Sequence, residues 1–452
     1  MRSSAVRRST SASGRRTRLA GLRERFGTKT LVMAVLVAIV VTLLVALVVV
    51  NAGSGEKKIQ QRIEHLYGVE DPEFLHVMGV LLGPPVVAGN RYEVLVNGDR
   101  IFPSMLAAIR GARKTIDFET YIYWSGDIGK AFADALSERA RAGVRVHVLL
   151  DWVGSSKMEA NLVDELKSAG VEIQKYHPLH WAHLGRLNNR THRKLLVVDG
   201  RIGFTGGVGI ADKWTGDAQD PDHWRDTHFR VEGPVVAQMQ GVFMDNWIKT
   251  SGAVLHGAEY FPGLATVQGG GPAQVFSSSP TGGSASMELM YLMAITAAKR
   301  TIRLSSSYFV PNDLAVNTMV QAMKRGVKLQ IIVPGAHTDT ETVRGASKAR
   351  WGKLLEAGAE IYEYEPTMYH CKVMIVDEFM VSTGSTNFDD RSFRLNDEAN
   401  LNIYDRAFAA EQVKVFDADL AKSRRMDLAT WRARPLREKL VEHLASLLGS
   451  QL

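Results

Sequence analysis

Cysteine is nearly absent from the sequence, whose 452 residues include only Cys371. A single cysteine excludes a disulfide within the chain and a metal site built from several thiolates, but it does not indicate a redox compartment. Cys371 lies between His370 and Lys372 on a predicted strand, where successive side chains point to opposite faces. We therefore expect its thiol to point into the packing and to take no part in catalysis.

Acidic residues are almost missing from the N-terminus. Residues 1–30 contain nine Lys or Arg residues and one acid, Glu24. This composition, together with many Ser, Thr and Gly residues, predicts a basic disordered tail over 1–28.

Polar residues are almost missing from the next segment, 31–50, whose only polar member is Thr42. Such a run is long enough to cross a hydrocarbon core of roughly 30 Å as a helix. We therefore predict a transmembrane helix over 29–51. A cleaved signal peptide is the alternative, although its apolar region is normally only about 7–15 residues long.

The charge bias around this helix predicts its orientation. Basic residues stay on the cytoplasmic side, which would make the chain a single-pass protein of the cell membrane with its catalytic region on the outer side. Residues 52–90 are expected to form a juxtamembrane segment, helical up to Pro84, that packs on the main body.

The composition of the whole chain is that of a globular protein, with 45% hydrophobic and 23% charged residues, and the length suggests two or three domains. The net charge of +7 favours acidic partners, such as anionic lipid or nucleic acid, without choosing between them.

An internal repeat organises the chain after residue 91. Each matched segment contains a helix, a basic residue or a glycine, and a strand that follows it. The matched segments are 104–124 with 292–311, 132–154 with 316–335, and 162–176 with 353–366. Alternating strands and helices predict an α/β sandwich with a mostly parallel central sheet. We expect half 1 over 91–250, a Gly/Ser/Pro-rich linker over 251–287, and half 2 with a C-terminal helix over 288–452.

Each half contains one copy of the pattern H-x-K-x4-D. The two copies are His192, Lys194 and Asp199, and His370, Lys372 and Asp377. The apolar run after each lysine is typical of a buried strand, so histidine and lysine share one face. A neutral imidazole can attack phosphorus or hold a proton, and an ammonium group stabilises the negative charge of the phosphate oxygens. The combination suits phosphoryl transfer without a metal or another cofactor.

Small and polar residues follow each motif. Gly206 and Gly207 follow the first, and Gly384, Ser385 and Asn387 follow the second. Glycine allows a close backbone approach, while Ser and Asn offer hydrogen bonds to phosphoryl oxygens. The copies also depart from each other where the first has Gly209 and the second has Asn387.

An isolated histidine or lysine is more often a structural or solvated residue than a catalyst. Burying two copies of each in apolar strands would be costly without a purpose, which favours a functional interpretation. The aspartates are less certain, since VVDG and IVDE are also turns that end a strand.

These motifs resemble the phospholipase D superfamily, whose members carry two H-x-K-x4-D motifs. The segments LNNRTHRKLLVVDG, WRDTHFRVEGP and NFDDRSFRLNDEANL are most similar to the bacterial cardiolipin synthases within it. The resemblance extends from about Tyr92 to the C-terminus.

The resemblance implies a role for each residue. His192 would attack phosphorus to give a phosphohistidine, and His370 would act as the acid and base. Lys194 and Lys372 would hold phosphate oxygens, and the two motif aspartates would support the motif structurally or electrostatically. Hydrogen bonds from Asp226 and Glu398 to the paired histidines would fix their tautomers, although both acids could instead lie on the surface.

The implied activity is a membrane-anchored phosphatidyltransferase that makes cardiolipin and glycerol from two phosphatidylglycerol molecules. Its partners would be phosphatidylglycerol, anionic membrane lipids and the bilayer, with no nucleic acid expected and no indication of oligomeric state. The alternative is a phosphodiesterase of the same superfamily that hydrolyses phospholipid or nucleic acid, because both reactions proceed through the same intermediate. A non-catalytic scaffold is disfavoured by the intact motif pair.

Two further features have two interpretations each. Trp181, Trp214 and Trp224 alternate with arginines and could line a lipid entrance, stack on bases or simply pack. A C-terminal helix places leucines on one face, for which docking on half 2 is favoured over membrane contact. The leucines are Leu436, Leu440, Leu444, Leu447 and Leu448.

Overall fold

The computed structural model describes residues 29–30, 32–46, 59–178, 188–280 and 286–446. The chain divides into two units, 1–53 and 54–452. In the first unit, 29–30 and 32–46 are helical. Within the described parts of the chain, no helix is both long and apolar enough to cross a membrane. The predicted basic tail, residue 31 and residues 47–51 of the predicted transmembrane helix lie outside the described residues.

The second unit contains two similar sets of strands. The strands of half 1 are β1 Val87–Val96, β2 Thr115–Thr120, β3 Arg145–Asp151, β4 Glu172–Tyr176, β5 Arg190–Thr191, β6 Leu195–Val198, β7 Ile202–Gly206 and β8 Thr227–Glu232. The later strands are β9 Gly271–Ser278, β10 Thr301–Ser306, β11 Phe309–Val310, β12 Lys328–Pro334, β13 Glu360–Tyr364, β14 Lys372–Val376, β15 Met380–Gly384, β16 Phe388–Asp389, β17 Asn396–Tyr404 and β18 Ser423–Met426.

Helices connect and cover these strands. They are α1 Pro72–Leu82, α2 Gly98–Gly111, α3 Asp127–Arg141, α4 Ala160–Ser168, α5 Val236–Ser251, α6 Ser286–Ala297, α7 Asp313–Lys324, α8 Glu341–Glu356, α9 Asp390–Arg394, α10 Arg406–Leu420, α11 Leu428–Arg432 and α12 Leu436–Ser446. A short 3-10 helix spans Asp212–Trp214.

The strands of both halves form one continuous sheet. Its order is β4-β3-β2-β6-β7-β8-β1-β9-β17-β15-β14-β10-β12-β13-β18, with β5 attached to β17. Starting from the centre, β1-β8-β7-β6-β2-β3-β4 corresponds to β9-β17-β15-β14-β10-β12-β13. This symmetry confirms the predicted repeat and the predicted two-halved α/β fold.

The prediction of a mostly parallel sheet is wrong, because the sheet is mixed. Parallel pairing joins β2 to β3 and β3 to β4, and likewise β10 to β12 and β12 to β13, where helices provide the crossovers. The motif strands instead enter hairpins: β6 pairs antiparallel with β7, and β14 with β15. Short turns at 199–201 and 377–379 leave no room for a crossover helix.

The predicted linker, 251–287, contains a central strand of the sheet. Strand β9 pairs antiparallel with β1 on one side and with β17 on the other. Four consecutive residues of β9, 273–276, are buried. The pairing explains why a segment flanked by glycine and serine is ordered: β9 joins the two halves.

The motif strands separate two hydrophobic layers. Leu196 and Val198 pack among the helices of half 1 on one face. Leu195 and Val197 point the other way, into a core shared with β14 and α10. This alternation confirms that the apolar runs are strands buried on both faces.

Both ends of the second unit pack on half 2. The juxtamembrane segment was predicted to be helical up to Pro84, but residues 59–71 are not helical and α1 begins only at Pro72. Phe74 and Met78 of α1 enter the half 2 core. The C-terminal helix α12 also docks, but through Ala445, which contacts Val343 and Ala346 of α8. Its predicted leucine face points outward: Leu436, Leu440 and Leu444 are 83%, 60% and 54% exposed. Leu447 and Leu448 lie outside the described residues.

Candidate active site

The two motif histidines lie just before β6 and β14, and each is tied to the other half of the protein. The backbone N–H of His192 donates to the carbonyl of Asp397 at 2.9 Å. The backbone N–H of His370 donates to the carbonyl of Arg225 at 2.8 Å. Both histidines line one cavity of about 600 Å³. The predicted site shared between pseudo-equivalent halves is therefore present.

Each histidine ring is hydrogen-bonded to a carboxylate of the other half. His192 Nδ1 lies 3.0 Å from Glu398 Oε1, and His370 Nδ1 lies 2.7 Å from Asp226 Oδ2. Burial tends to raise the pKa of both acids, but hydrogen bonds and electrostatic interactions with the neighbouring histidine and lysine together outweigh it and hold each pKa below its usual value. The acids are therefore ionised acceptors, so Nδ1 carries the proton and Nε2 is left for chemistry. The two hydrogen bonds predicted from the sequence are confirmed.

Gly207 and Ser385 explain how two different acids fit equivalent positions. A Cβ on Gly207 would lie 2.2 Å from Asp226 Oδ1, so glycine makes room for that carboxylate. In half 2, Ser385 Oγ instead donates to Glu398 Oε2 at 2.5 Å. Both residues thus position a carboxylate, a role that differs from the predicted contact with phosphoryl oxygens.

The two lysines lie beside the histidines. Lys194 Nζ donates to the carbonyl of His192, and Lys372 Nζ to that of His370, each at 2.8 Å. Lys372 Nζ also donates to Ser307 Oγ at 2.7 Å. Burial, reinforced by the charge of Lys372, lowers the pKa of Lys194 to about 7. Burial likewise lowers the pKa of Lys372. An incoming phosphate would favour the charged form of both lysines.

The histidines themselves are biased toward the neutral form. Burial lowers the pKa of His192 to about 4, although the charge of Glu398 acts in the opposite direction. Burial, followed by the charge of Lys372, lowers the pKa of His370. A neutral Nε2 is the form that can attack phosphorus.

The motif aspartates do not face the cavity. Asp199 Oδ1 accepts the backbone N–H groups of Lys114 and Thr115 at 2.7 and 3.0 Å. Asp377 Oδ1 accepts those of Arg300 and Thr301 at 2.7 and 2.8 Å. Each therefore ties the far end of its motif strand to the neighbouring strand. Of the alternatives open from the sequence, the contacts favour a structural role.

Two other predicted residues are also placed beside the site. Asn387 Oδ1 accepts the hydroxyl of Ser307, the residue that contacts Lys372, and Asn387 lines the cavity. Cys371 is 1% exposed in the shared core, and burial raises the pKa of its thiol to about 12. The prediction that this thiol points into the packing is confirmed.

Aromatic rings surround both histidines. The rings of Trp214 and Trp224 lie 5.2 and 5.6 Å from His370. The ring of Tyr121 lies 5.3 Å from His192 and also faces Lys194. All three line the cavity, and Trp214 and Trp224 also pack in the half 1 core. Trp181 lies outside the described residues.

Sequence reasoning missed several cavity residues. Tyr121, Arg190 and Arg391 line the cavity and Ser307 contacts Lys372 beside it, all from outside the two H-x-K-x4-D motifs. The repeat contained one usable signal, because Tyr121 follows β2 at the end that Ser307 occupies after β10. The two arginines carried no such signal, since their proximity depends on the pairing of β5 with β17.

A scan against protein-family models matches residues 105–244 and 291–420 to a family described as cardiolipin synthase, PLD-like domain. Among curated proteins, the cardiolipin synthase of Geobacillus kaustophilus is 35% identical over 370 residues, covering 81% of this chain and 74% of that protein. Cardiolipin synthase 2 of Bacillus anthracis is 33% identical over 363 residues, covering 80% and 70%.

Solved structures share the fold at low sequence identity. A phosphatidylserine synthase from Haemophilus influenzae has a TM-score of 0.62 at 13% identity, covering 84% of this chain and 99% of that one. A polyphosphate kinase from Porphyromonas gingivalis has a TM-score of 0.51 at 13% identity, covering 88% and 57%. These likenesses concern the fold alone.

Proposed function

The chain belongs to the cardiolipin synthase family of phospholipase D-like proteins, and from this premise we propose that it makes cardiolipin and glycerol from two phosphatidylglycerol molecules. It is a phosphatidyltransferase of the phospholipase D superfamily. The observation that carries the proposal is the pair of histidines, each bound through Nδ1 to a buried carboxylate, that line one cavity.

In the first step, the donor phosphodiester lies between the histidines with its oxygens near Lys194 and Lys372. His192 Nε2 attacks phosphorus, an N–P bond forms, and the P–O bond to the glycerol headgroup breaks. His370, protonated at Nε2, gives that proton to the departing glycerol oxygen. The anionic substrate and Asp226 both favour the protonated form of His370 in the complex. Family resemblance, rather than geometry, assigns the nucleophile to His192.

In the second step, a hydroxyl of another phosphatidylglycerol takes the place of the released glycerol. His370 removes its proton, the oxygen attacks phosphorus, and the N–P bond breaks. His192 is regenerated as a neutral imidazole, and the product carries two phosphodiesters bridged by one glycerol. Glu398 and Asp226 keep the proton on Nδ1 of each ring throughout, so that Nε2 performs every transfer.

We also propose a membrane anchor for this enzyme. The apolar segment 31–50 and the basic residues that precede it support a single-pass helix with a cytoplasmic N-terminus and an outer catalytic region. An anchored site meets bilayer lipids at a high effective concentration.

The first experiment is a product assay on detergent-solubilised protein with headgroup-labelled and acyl-labelled phosphatidylglycerol. Cardiolipin with free glycerol is expected. Phosphatidic acid with glycerol, and no cardiolipin, would show a hydrolase instead.

Variants His192→Ala and His370→Ala test the shared site in the same assay. Each is expected to lose turnover completely within detection while keeping the thermal unfolding temperature of the parent. Cys371→Ala is a matched control from the same segment, since its thiol faces the core. Parent-like activity in either histidine variant would contradict a site built from both.

A further inference from the structure

The cavity holds more positive charge than the donor phosphate needs. Its lining includes the guanidinium groups of Arg190 and Arg391 and three lysines, Lys157, Lys194 and Lys213, against the two carboxylates of Asp339 and Asp389. Arg190 is nearly buried, with its side chain 5% exposed, and its Nη1 lies 3.6 Å from Asp151 Oδ1. Its guanidinium also lies 5.6 Å from the Trp152 ring, which helps to hold it in place.

Arg391 comes from the opposite half and is hydrogen-bonded to Asn188. Its Nη1 donates to Asn188 Oδ1 at 3.0 Å and its Nη2 to Asn188 O at 3.1 Å. Burial lowers the pKa of Arg391, although Tyr121 and the charge of Asp389 act in the opposite direction. The positive charge of Arg190 adds to the lowering. The two cations therefore lie within electrostatic range of each other at a partly desolvated site, an arrangement that an anion between them would stabilise.

Tyr121 connects this pair to the reacting centre. Its ring contacts His192 and faces Lys194, while its hydroxyl experiences the charges of both arginines. The arginines thus line the same cavity as Tyr121 and the two histidines. A cavity of about 600 Å³ has room for two headgroups, since sites for small molecules span roughly 300–1,000 Å³.

We propose that Arg190 and Arg391 bind the phosphodiester of the acceptor lipid and thereby select an anionic acceptor. This assignment deepens the proposed function and rests on it. The acceptor carries its own phosphate one glycerol away from the attacking hydroxyl, so the donor and acceptor phosphates need two separate cationic sites. A guanidinium fork matches two phosphate oxygens, whereas water and neutral alcohols offer it no charge.

The chemistry of transfer is unchanged by this site. The acceptor hydroxyl gives its proton to His370 as its oxygen bonds to phosphorus and the N–P bond breaks. The arginines form no covalent bond and act by orienting the acceptor, which makes them binding residues for the second substrate.

The test uses full-length protein in detergent with acyl-labelled phosphatidylglycerol as donor and two soluble acceptors in competition. One acceptor is glycerol 3-phosphate, which is anionic, and the other is isotope-labelled glycerol, which is neutral. The parent is expected to favour the anionic acceptor. In Arg391→Gln the ratio of phosphorylated to neutral product should fall at least about tenfold, with glycerol exchange within about threefold of the parent.

Arg394→Gln is the matched control, because it removes the same charge from the same helix, α9, at a residue that does not line the cavity. Its product ratio should equal that of the parent. Arg391 is preferred over Arg190 for substitution, because removing Arg190 would leave the buried Asp151 carboxylate without its arginine.

Three results of this assay would contradict either the acceptor site or the proposed function. An unchanged product ratio in Arg391→Gln would overturn the acceptor site. An equal loss of both products would also overturn it, since that pattern indicates a role in donor binding or folding. A parent that prefers glycerol 3-phosphate but never forms cardiolipin would retain the anion site and refute the proposed function.

Discussion

At the residue scale, the two motif histidines have different surroundings. His370 lies against the indole rings of Trp214 and Trp224, and Lys372 Nζ is 3.3 Å from its Nε2. His192 meets the phenol ring of Tyr121. An apolar, aromatic wall beside His370 suits a group that must give up and regain a proton during each cycle, because desolvation favours its neutral form.

Gly207→Ala tests whether carboxylate position controls the site. The added Cβ would collide with Asp226, which must move and lose its hydrogen bond to His370. We expect kcat to fall by about 10²-fold, the lower end of the contribution of a positioned acid or base. Steady-state kinetics with phosphatidylglycerol checks this. Gly241→Ala, at a helical glycine with open space around its Cβ position, should keep parent activity.

The dependence of kcat/KM on pH should report the free enzyme. Lys194, with a pKa of about 7, becomes neutral as pH rises, so phosphate binding weakens and kcat/KM falls above neutrality. His192, with a pKa of about 4, becomes protonated only in strong acid, so its loss as a nucleophile lies far below neutrality. A profile that rises continuously from pH 7 to 9 would contradict this order.

At the element scale, the ends of the motif strands are fastened by side chains from the motifs themselves. Asp377 lies in a turn with φ of 50°, and its carboxylate accepts three consecutive backbone N–H groups, from 299 to 301. The equivalent turn at Asp199 has φ of 53°. The last residue of the motif is therefore required for the register of β10 and β14, rather than for contact with phosphate.

Asp377→Ala should reduce stability and leave chemistry intact. Losing one charged acceptor for three part-buried N–H groups should lower the free energy of unfolding by about 3 kcal/mol. Denaturant titration measures this loss, and kcat of the folded fraction should stay within about twofold. Glu378→Gln, which alters only an exposed ion pair next to it, should cost less than about 1 kcal/mol. A large loss of kcat in Asp377→Ala would restore a direct catalytic role.

The sequence predicts those elements whose signal is local and misses those whose burial depends on long-range pairing. The apolar run from Leu195 to Val198 and the glycines that end the helices are local signals, and they correctly predicted a buried strand and the matched helix–strand segments of the repeat. The glycine and serine around β9 predict a linker, because the burial of this strand depends on its pairing with β1 and β17 and not on a local signal. The outward leucines of α12 were missed for the same reason, since periodicity does not reveal which face docks.

At the scale of the whole molecule, the site depends on the long-range pairing of the two halves. Residues that share the cavity, such as Arg190 and Arg391, are about two hundred positions apart in the chain, and only the continuous sheet brings them together. The sequence predicted that the halves share a site but not that β9 and β1 form its central seam.

The shared sheet predicts one cooperative unfolding transition for residues 59–446. Strand β9 is hydrogen-bonded to β1 of half 1 and to β17 of half 2. Separating β9 from one half would therefore expose unpaired strand edges in both, so the halves should unfold together. Differential scanning calorimetry of the solubilised protein should give a single peak with equal calorimetric and van't Hoff enthalpies. Val275→Asp, in the buried centre of β9, should prevent both halves from folding. Two resolved peaks in the parent would argue for independent halves.

The exchange of carboxylates between the halves also bears on descent. If one half paired with an identical copy across a two-fold axis, each histidine would meet the acid of its partner, which is the pattern of an isologous contact. A duplicated gene inherits that reciprocity inside a single chain, where the two copies no longer have to be the same. Asp226 opposite a glycine and Glu398 opposite a serine are two solutions to one ancestral constraint. After fusion, each side of a formerly symmetrical reaction centre could therefore change separately.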